Sequence, residues 1–270
     1  MTTQPDLDVT DTADWAGRSL GEREVSWDER DAILFALAVG ARADQLDLVF
    51  ERDLKVLPTF ALTLAQWAPD VLGSAGAFDV GTALHGSQRL EVLAPMPASG
   101  TTLMRARVGN VWDKGAAAVF EVVVECEYVR ATWSIFAPGR GGFGGERGPG
   151  RTTGPEGEPT TSIEVDVAAN AAALYRLSGD RHHIHIDPLA AERIGQPRPI
   201  LHGLATMSTA VLAAAEARGA SPADLTLLEG RFSSAVFPGE RLVVPVWADG
   251  SFRVDTERGT AIDGARALFA

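Results

Sequence analysis

Cysteine is nearly missing from this chain: Cys126 is the only one among 270 residues. An intrachain disulfide is therefore excluded, and so is a zinc site built from cysteine pairs. Positive charge is also short. Lys and Arg number 24 against 36 Asp and Glu, a formal net charge of -12 with pI near 4.9. Such a surface repels phosphate backbones and anionic lipid, so neither nucleic acid nor a membrane is expected as a partner. A small anionic ligand is still compatible, because an arginine cluster or a helix N-terminus holds phosphate against an unfavourable mean field. Long apolar runs are missing too. Stretches such as AILFALAVGA from Ala32 fall short of a membrane span. The acidic start MTTQPDLDVTDTADW lacks the basic-then-apolar order of a secretion signal. A cytoplasmic location is the expectation.

What is present suits a folded protein: 46% hydrophobic residues, 22% charged and a mean hydropathy of +0.03. The length accommodates one large domain or two smaller ones. A Gly- and Pro-rich stretch, PGRGGFGGERGPGRTTGPEGEPT from Pro138 to Thr160, has no apolar periodicity and reads as a flexible linker. It divides the chain into residues 1–137 and 161–270.

Both parts follow one plan. In the first, SWDERDAILFALAVGA begins with Ser26 and has Glu29 three residues on, which predicts a capped helix. QRLEVLAPM, TTLMRARVGNVW and AAAVFEVVVECEYV then read as strands, separated by turns at Pro97–Gly100 and Asp113–Gly115. In the second, GLATMSTAVLAAAEAR from Gly203 predicts a helix that is apolar nearly all round and stops at Gly219. Four strand-like runs follow it, with turns at Pro238–Glu240 and Asp249–Gly250. A helix with almost no polar face must be covered, and a curved antiparallel sheet is the available cover. The expected architecture is an internally repeated α+β protein.

Chemistry concentrates in YRLSGDRHHIHIDPLAAERIGQPRPILHGLATMS, which carries Asp180, His182, His183, His185, Asp187 and His202 in a chain with 5 histidines. Asp180 and His185 are spaced so that a loop can bring a carboxylate and an imidazole to one water molecule, a device for adding water to a double bond or removing it. Such a step next to a carbonyl also needs fixed donors for the developing oxyanion. The start of the helix at Gly203 offers free N–H groups and a positive dipole end. The same residues are open to two other readings. Asp-Arg-His-His is often a solvated loop, and HIHID begins like the His-x-His-x-Asp-His run of binuclear metallohydrolases. Pro188 stands where that run needs its next histidine, and His202 and His85 are distant in sequence. Ser178 lacks the glycine pattern of a nucleophile elbow. His85 reads as a strand-entry residue, and the six scattered tryptophans read as core.

The long motif, followed by PILHGLATM, resembles the MaoC-like (R)-specific enoyl-CoA hydratases, the hydratase 2 family. RFSSAVFPGE and, in the first half, DLKVLPTFA, LHGSQRLEV and WDKGAAAVFEVVVE extend the likeness. The resemblance implies a double hotdog, two antiparallel sheets each wrapped around a long central helix. The first half would shape the acyl cavity and the second would be catalytic. It implies Asp180 and His185 as the dyad on the catalytic water and Gly203 as the backbone donor to the thioester oxygen. It further implies an acyl-CoA substrate, no metal or redox cofactor, and a homodimer. The family pattern has Asn-Pro where this chain has His182-His183, so His182 is expected to take over the role of the amide, which both donates and accepts. Gln196 and Ala205 depart at positions expected to change pocket shape. A thioester hydrolase on the same fold and an inert acyl-CoA-binding protein are the alternatives.

Overall fold

Residues 11–150, 154–155 and 157–270 are described by a computed structural model, in which ten strands form one antiparallel sheet. The strands are β1 (Ser19–Trp27), β2 (Leu84–Val92), β3 (Gly100–Asp113), β4 (Ala117–Glu125), β5 (Val129–Pro138), β6 (Thr161–Asp166), β7 (Leu225–Phe232), β8 (Arg241–Val246), β9 (Ser251–Thr256) and β10 (Gly259–Phe269). The helices are α1 (Glu29–Ala38), α2 (Leu46–Val49), α3 (Phe60–Ala65), α4 (Trp67–Ser74), α5 (Ala171–Tyr175), α6 (Pro188–Arg193) and α7 (Gly203–Arg218). Among the described residues no helix is long and apolar enough to cross a membrane.

The strand order is β1-β3-β4-β5-β2-β7-β10-β9-β8-β6. Read inward from each edge, the two halves have the same order, which is the internal repeat expected from sequence. The two sheets of that expectation are continuous, however. β2 pairs with β7 through Ser87↔Arg231, Gln88↔Gly230, Arg89↔Glu229, Leu90↔Leu228 and Glu91↔Leu227. Leu90 and Leu228 are fully buried at this seam, and Arg89 and Glu229 form an ion pair across it. Alternating burial along β3 and β5 shows one face of the sheet turned to the core.

In the second half α7 is the expected central helix. Residues 204–211 and 213–215 are buried, the helix packs on β6, β8 and β10, and Gly219 ends it in the left-handed conformation at φ +63°. Among the described residues the first half has no matching long helix. Its sheet is covered by α3 against β5 and α4 against β1 and β4. The break between them follows from Pro69, which has no N–H for the Ala65 carbonyl and whose ring crowds it. α1, expected to be the core helix of this half, packs instead on α2 and α5. Its cap also differs from expectation: Asp28 and Asp31 form the capping box, not Ser26 and Glu29. β1 continues through Trp27, opposite Gly100, and the Ser26 hydroxyl lies 3.0 Å from that of Thr101. Five of the six tryptophans are buried, as expected of core residues.

The Gly- and Pro-rich segment is not loose throughout. The Asp113 carboxylate accepts the N–H groups of Gly115, Gly142 and Gly144 at 2.8, 2.9 and 2.8 Å. The Asp113 N–H donates to Glu146, and the Lys114 ammonium to the carbonyls of Arg147 and Pro149. Glycine fits here because these backbone groups converge on one carboxylate. A Cβ at Gly141 would lie 2.3 Å from the Ala117 carbonyl oxygen. The hydrogen bonds from Gly142 and Gly115 hold the Asp113 carboxyl below its ordinary pKa. Asp113→Ala should release the segment, raising tryptic cleavage after Arg140 and Arg147 by about tenfold at neutral pH. Unchanged digestion would mean that other contacts hold it.

Candidate active site

α5 ends at Tyr175, and a 3₁₀ turn over Arg176–Ser178 leads into Gly179 at φ +149°, a conformation that favours glycine. A Cβ there would also stand 3.2 Å from the Thr63 carbonyl oxygen, so the loop rests directly on α3 of the other half. The next turn is held by its own polar side chains. The Asp180 carboxylate accepts the His182 N–H at 3.0 Å, and His182 Nδ1 accepts the Ile184 N–H at 3.4 Å. Asp187 serves another purpose: its carboxylate caps α6 by accepting the Leu189 N–H, with Pro188 at the first position.

Folding brings His185 and His202 together. Their rings stack at 3.6 Å between centroids with 23° between planes. His185 Nδ1 lies 2.9 Å from the Ile200 carbonyl oxygen. A carbonyl only accepts, so Nδ1 carries the proton and Nε2 keeps its lone pair. His202 is bound the other way round, with Nε2 donating to the Asp180 carbonyl oxygen at 3.1 Å. Atoms of Asp180, His185 and His202 lie within 4.8 Å of one another. His202, distant in sequence, is thus part of the same cluster. The cluster suits proton transfer better than metal binding. Imidazole lone pairs lie in the ring planes, and two nearly parallel stacked rings do not aim them at one ion.

Gly203 opens α7 directly after His202. Its N–H makes no hydrogen bond among the described residues, as the first N–H of a helix requires. A Cβ on Gly203 would approach the Phe232 ring to 3.0 Å, and the His85 ring packs on Phe232 at 4.6 Å with 58° between planes. His85, the second residue of β2, is the strand-entry residue read from sequence and also stands beside the site. His182 is exposed, with its ring 6.3 Å from that of His185. His183 is exposed in the same turn and makes no part of the cluster.

Electrostatically the site is neutral imidazole set around one carboxylate. Burial pushes His85 down to about 4 and His202 down to about 3, and lowers His185 as well. For all three the Asp180 charge pulls the other way and is the weaker influence. The Asp70 carboxyl of α4 is raised, first by desolvation and then by Asp180, although the residue as a whole is exposed. Four buried atoms of this region, Tyr175 Oη, Arg176 Nε, Ser178 Oγ and His202 Nδ1, have no hydrogen-bond partner among the described residues. Buried polar groups of this kind are ordinarily met by water or ligand.

Residues 25–136 match the family model described as the MFE-2 hydratase 2 N-terminal domain, and residues 151–265 match that of the MaoC like domain. Enoyl-CoA hydratase ChsH3 of Mycobacterium tuberculosis is 38% identical over 269 residues, covering 91% of this chain and 90% of that protein. The chain belongs to the MaoC-like hydratase 2 family. The crystal structure of a MaoC-like dehydratase from Phytophthora capsici matches with a TM-score of 0.86 at 25% identity, over 97% of this chain and 98% of that one. A Mycobacterium tuberculosis protein described as a double hotdog matches at 0.61 and 13% identity, over 98% of each chain, a likeness of fold alone. The likeness supports the hotdog fold implied by the resemblance, but not its two separate sheets each around a long central helix. What sequence reading missed is the set of neighbours: His202 as a ring partner, and Thr63, Asp70 and His85 from the first half. His202, adjacent to Gly203 in the chain, and His85, within LHGSQRLEV, carried a sequence signal; Thr63 and Asp70 carried none.

The three depressed imidazoles imply a definite pH response. An unfolded chain takes up their protons near pH 6.5, whereas the folded chain resists until about pH 4 at His85 and about 3 at His202. Below pH 6.5 the unfolded state therefore binds more protons, and stability should fall with pH through that window. Urea unfolding at stepwise pH should show the midpoint level above pH 7 and declining from 6.5 to 4; a flat midpoint there contradicts the assignment.

Proposed function

We propose that the chain hydrates trans-2-enoyl-CoA reversibly to (3R)-3-hydroxyacyl-CoA, with Asp180 and His185 as the acid/base dyad. The observation that carries this is the state of His185. It is buried and neutral, its Nδ1–H is tied to Ile200 so that Nε2 keeps the lone pair, and its side chain stands within 4.8 Å of the Asp180 carboxylate. A water between the two donates one O–H to the carboxylate and gives its other proton to Nε2. Its oxygen bonds to the β-carbon, and the double-bond electrons move onto the thioester oxygen. The Gly203 N–H and the positive end of α7 meet that oxyanion. The His185 imidazolium then returns its proton to the α-carbon, so one water is added and the base is restored. Dehydration runs the same steps backward. The scheme needs no metal or redox cofactor, and CoA enters as part of the substrate.

In this reading His182 keeps the turn rather than reacting. Its Nδ1 accepts the Ile184 N–H, a bond that an asparagine oxygen also makes. The relative from Mycobacterium tuberculosis carries enoyl-CoA hydratase in its name, which supports the reaction class.

Loss of enoyl absorbance with crotonyl-CoA and with a long-chain trans-2-enoyl-CoA, with product stereochemistry assigned, tests the proposal. Asp180→Asn and His185→Ala should each lower the rate by roughly 10²–10⁴-fold. The acid limb of kcat/KM should lie below the pH 6.5 of an ordinary imidazole, since the base must be unprotonated and its pKa is depressed. Release of free CoA, read with a thiol reagent, would instead mark a thioester hydrolase. His182→Asn should retain activity within about threefold, well under 1 kcal/mol; a collapse would assign the imidazole a chemical role.

A further inference from the structure

The proposed scheme leaves His202 without a task, yet it touches more of the site than any other side chain there. It is 1% exposed. Nε2–H donates to the Asp180 carbonyl oxygen at 3.1 Å, and no other donor to that carbonyl is found among the described residues. One face of its ring stacks on His185 at 3.6 Å, and the Tyr175 ring lies 4.6 Å away at 46°. Its own carbonyl accepts the Thr206 N–H at 3.0 Å and the Thr206 hydroxyl at 3.2 Å, which makes it the cap residue of α7 immediately before Gly203. One residue thus bonds the loop that carries the acid, packs on the base and precedes the oxyanion donor in the chain.

We propose that His202 is the positioning residue of the dyad, its Nε2–H fixing the Asp180 backbone and its ring fixing the plane of His185, so that carboxylate and Nε2 address the same water. The inference rests on the reading of Asp180 and His185 as the dyad. Both functions require an imidazole. Glutamine can supply an N–H at that reach but gives no ring to stack. Phenylalanine gives the ring but leaves a buried carbonyl without a donor, which typically loosens the segment that carries it. An imidazole does both while uncharged, so no second positive charge is set against His185 when that ring takes up its proton. Displacement of a reacting group by about 1 Å is enough to cost on the order of 10²-fold in rate.

Kinetics and nitrogen NMR on the full chain test this, with His202→Ala, His202→Gln and His202→Phe beside Asp180→Asn and His185→Ala. The expected result is a kcat about 100-fold lower in His202→Ala with KM within about threefold, and partial recovery in both His202→Gln and His202→Phe. Spectra of ¹⁵N-histidine-labelled protein should show His185 as the single Nδ1–H tautomer in the native chain and as a mixture in His202→Ala. That readout does not depend on turnover, and the Gln and Phe variants supply folded protein if Ala does not. Native kcat in both single-function variants, or an unchanged His185 tautomer in every variant, overturns the role of His202 while leaving the dyad standing. A raised KM at unchanged kcat overturns it in favour of a binding role. Full activity in Asp180→Asn and His185→Ala overturns the dyad, and the positioning role with it.

Discussion

The pairing of β2 with β7 is the constraint on which the site depends. It makes one sheet of two repeats, and it does so with the fully buried pair Leu90 and Leu228 at its centre. One end of that seam has a consequence. β2 carries His85 two residues before Ser87, and β7 carries Phe232 one residue after Arg231, so the seam ends in the tilted ring pair beside Gly203. The loop that carries Asp180 rests on α3, where a Cβ at 179 would crowd the Thr63 carbonyl oxygen at 3.2 Å. A site whose polar atoms come from the second half is thus walled by the first.

That wall explains the electrostatics. Removal from water and attraction to a carboxylate act in opposite directions on an imidazole. At His85, His185 and His202 removal from water is the larger influence. An open site with the same residues would leave the imidazoles nearer the ordinary value of about 6.5, with a larger protonated fraction around neutral pH. The closed site holds neutral rings whose tautomers are dictated by backbone carbonyls, Ile200 for one and Asp180 for the other. The arrangement costs stability in acid, because three histidines that would take up protons in the unfolded chain are kept from doing so. The unpartnered Tyr175 Oη and Ser178 Oγ belong to the same compromise, in which polar groups stay in an apolar wall.

Hydratase chemistry on this fold needs little motion of its own parts. α7 is buried almost throughout, and its N-terminus is held by Thr206 on the His202 carbonyl and by the Leu201 N–H on Val236. A donor at the head of such a helix is already oriented before any thioester arrives, which is the condition under which a backbone N–H is most effective toward an oxyanion.

The all-round apolar pattern after Gly203, the stop at Gly219, the turn residues between strands and the spacing of Asp180 and His185 were legible because each depends on neighbours in the chain. The repeat was legible for the same reason, since each half restates a local pattern. Local signals also misled. Ser26 and Glu29 have capping-box spacing, but strand pairing opposite Gly100 draws Ser26 into β1 and leaves the cap to Asp28. The glycines of the connecting segment read as slack until the Asp113 carboxylate, far back in the chain, gathers them. Sequence alone therefore named the candidate residues for the chemistry and placed them just ahead of the helix that opens at Gly203. Tertiary structure alone decided that His202 lies on His185, that His85 and Asp70 feel the charge of the same Asp180 carboxylate, and which nitrogen of each imidazole holds its proton. These depend on long-range strand pairing and on the burial it creates, and neither is written in the spacing of any one segment.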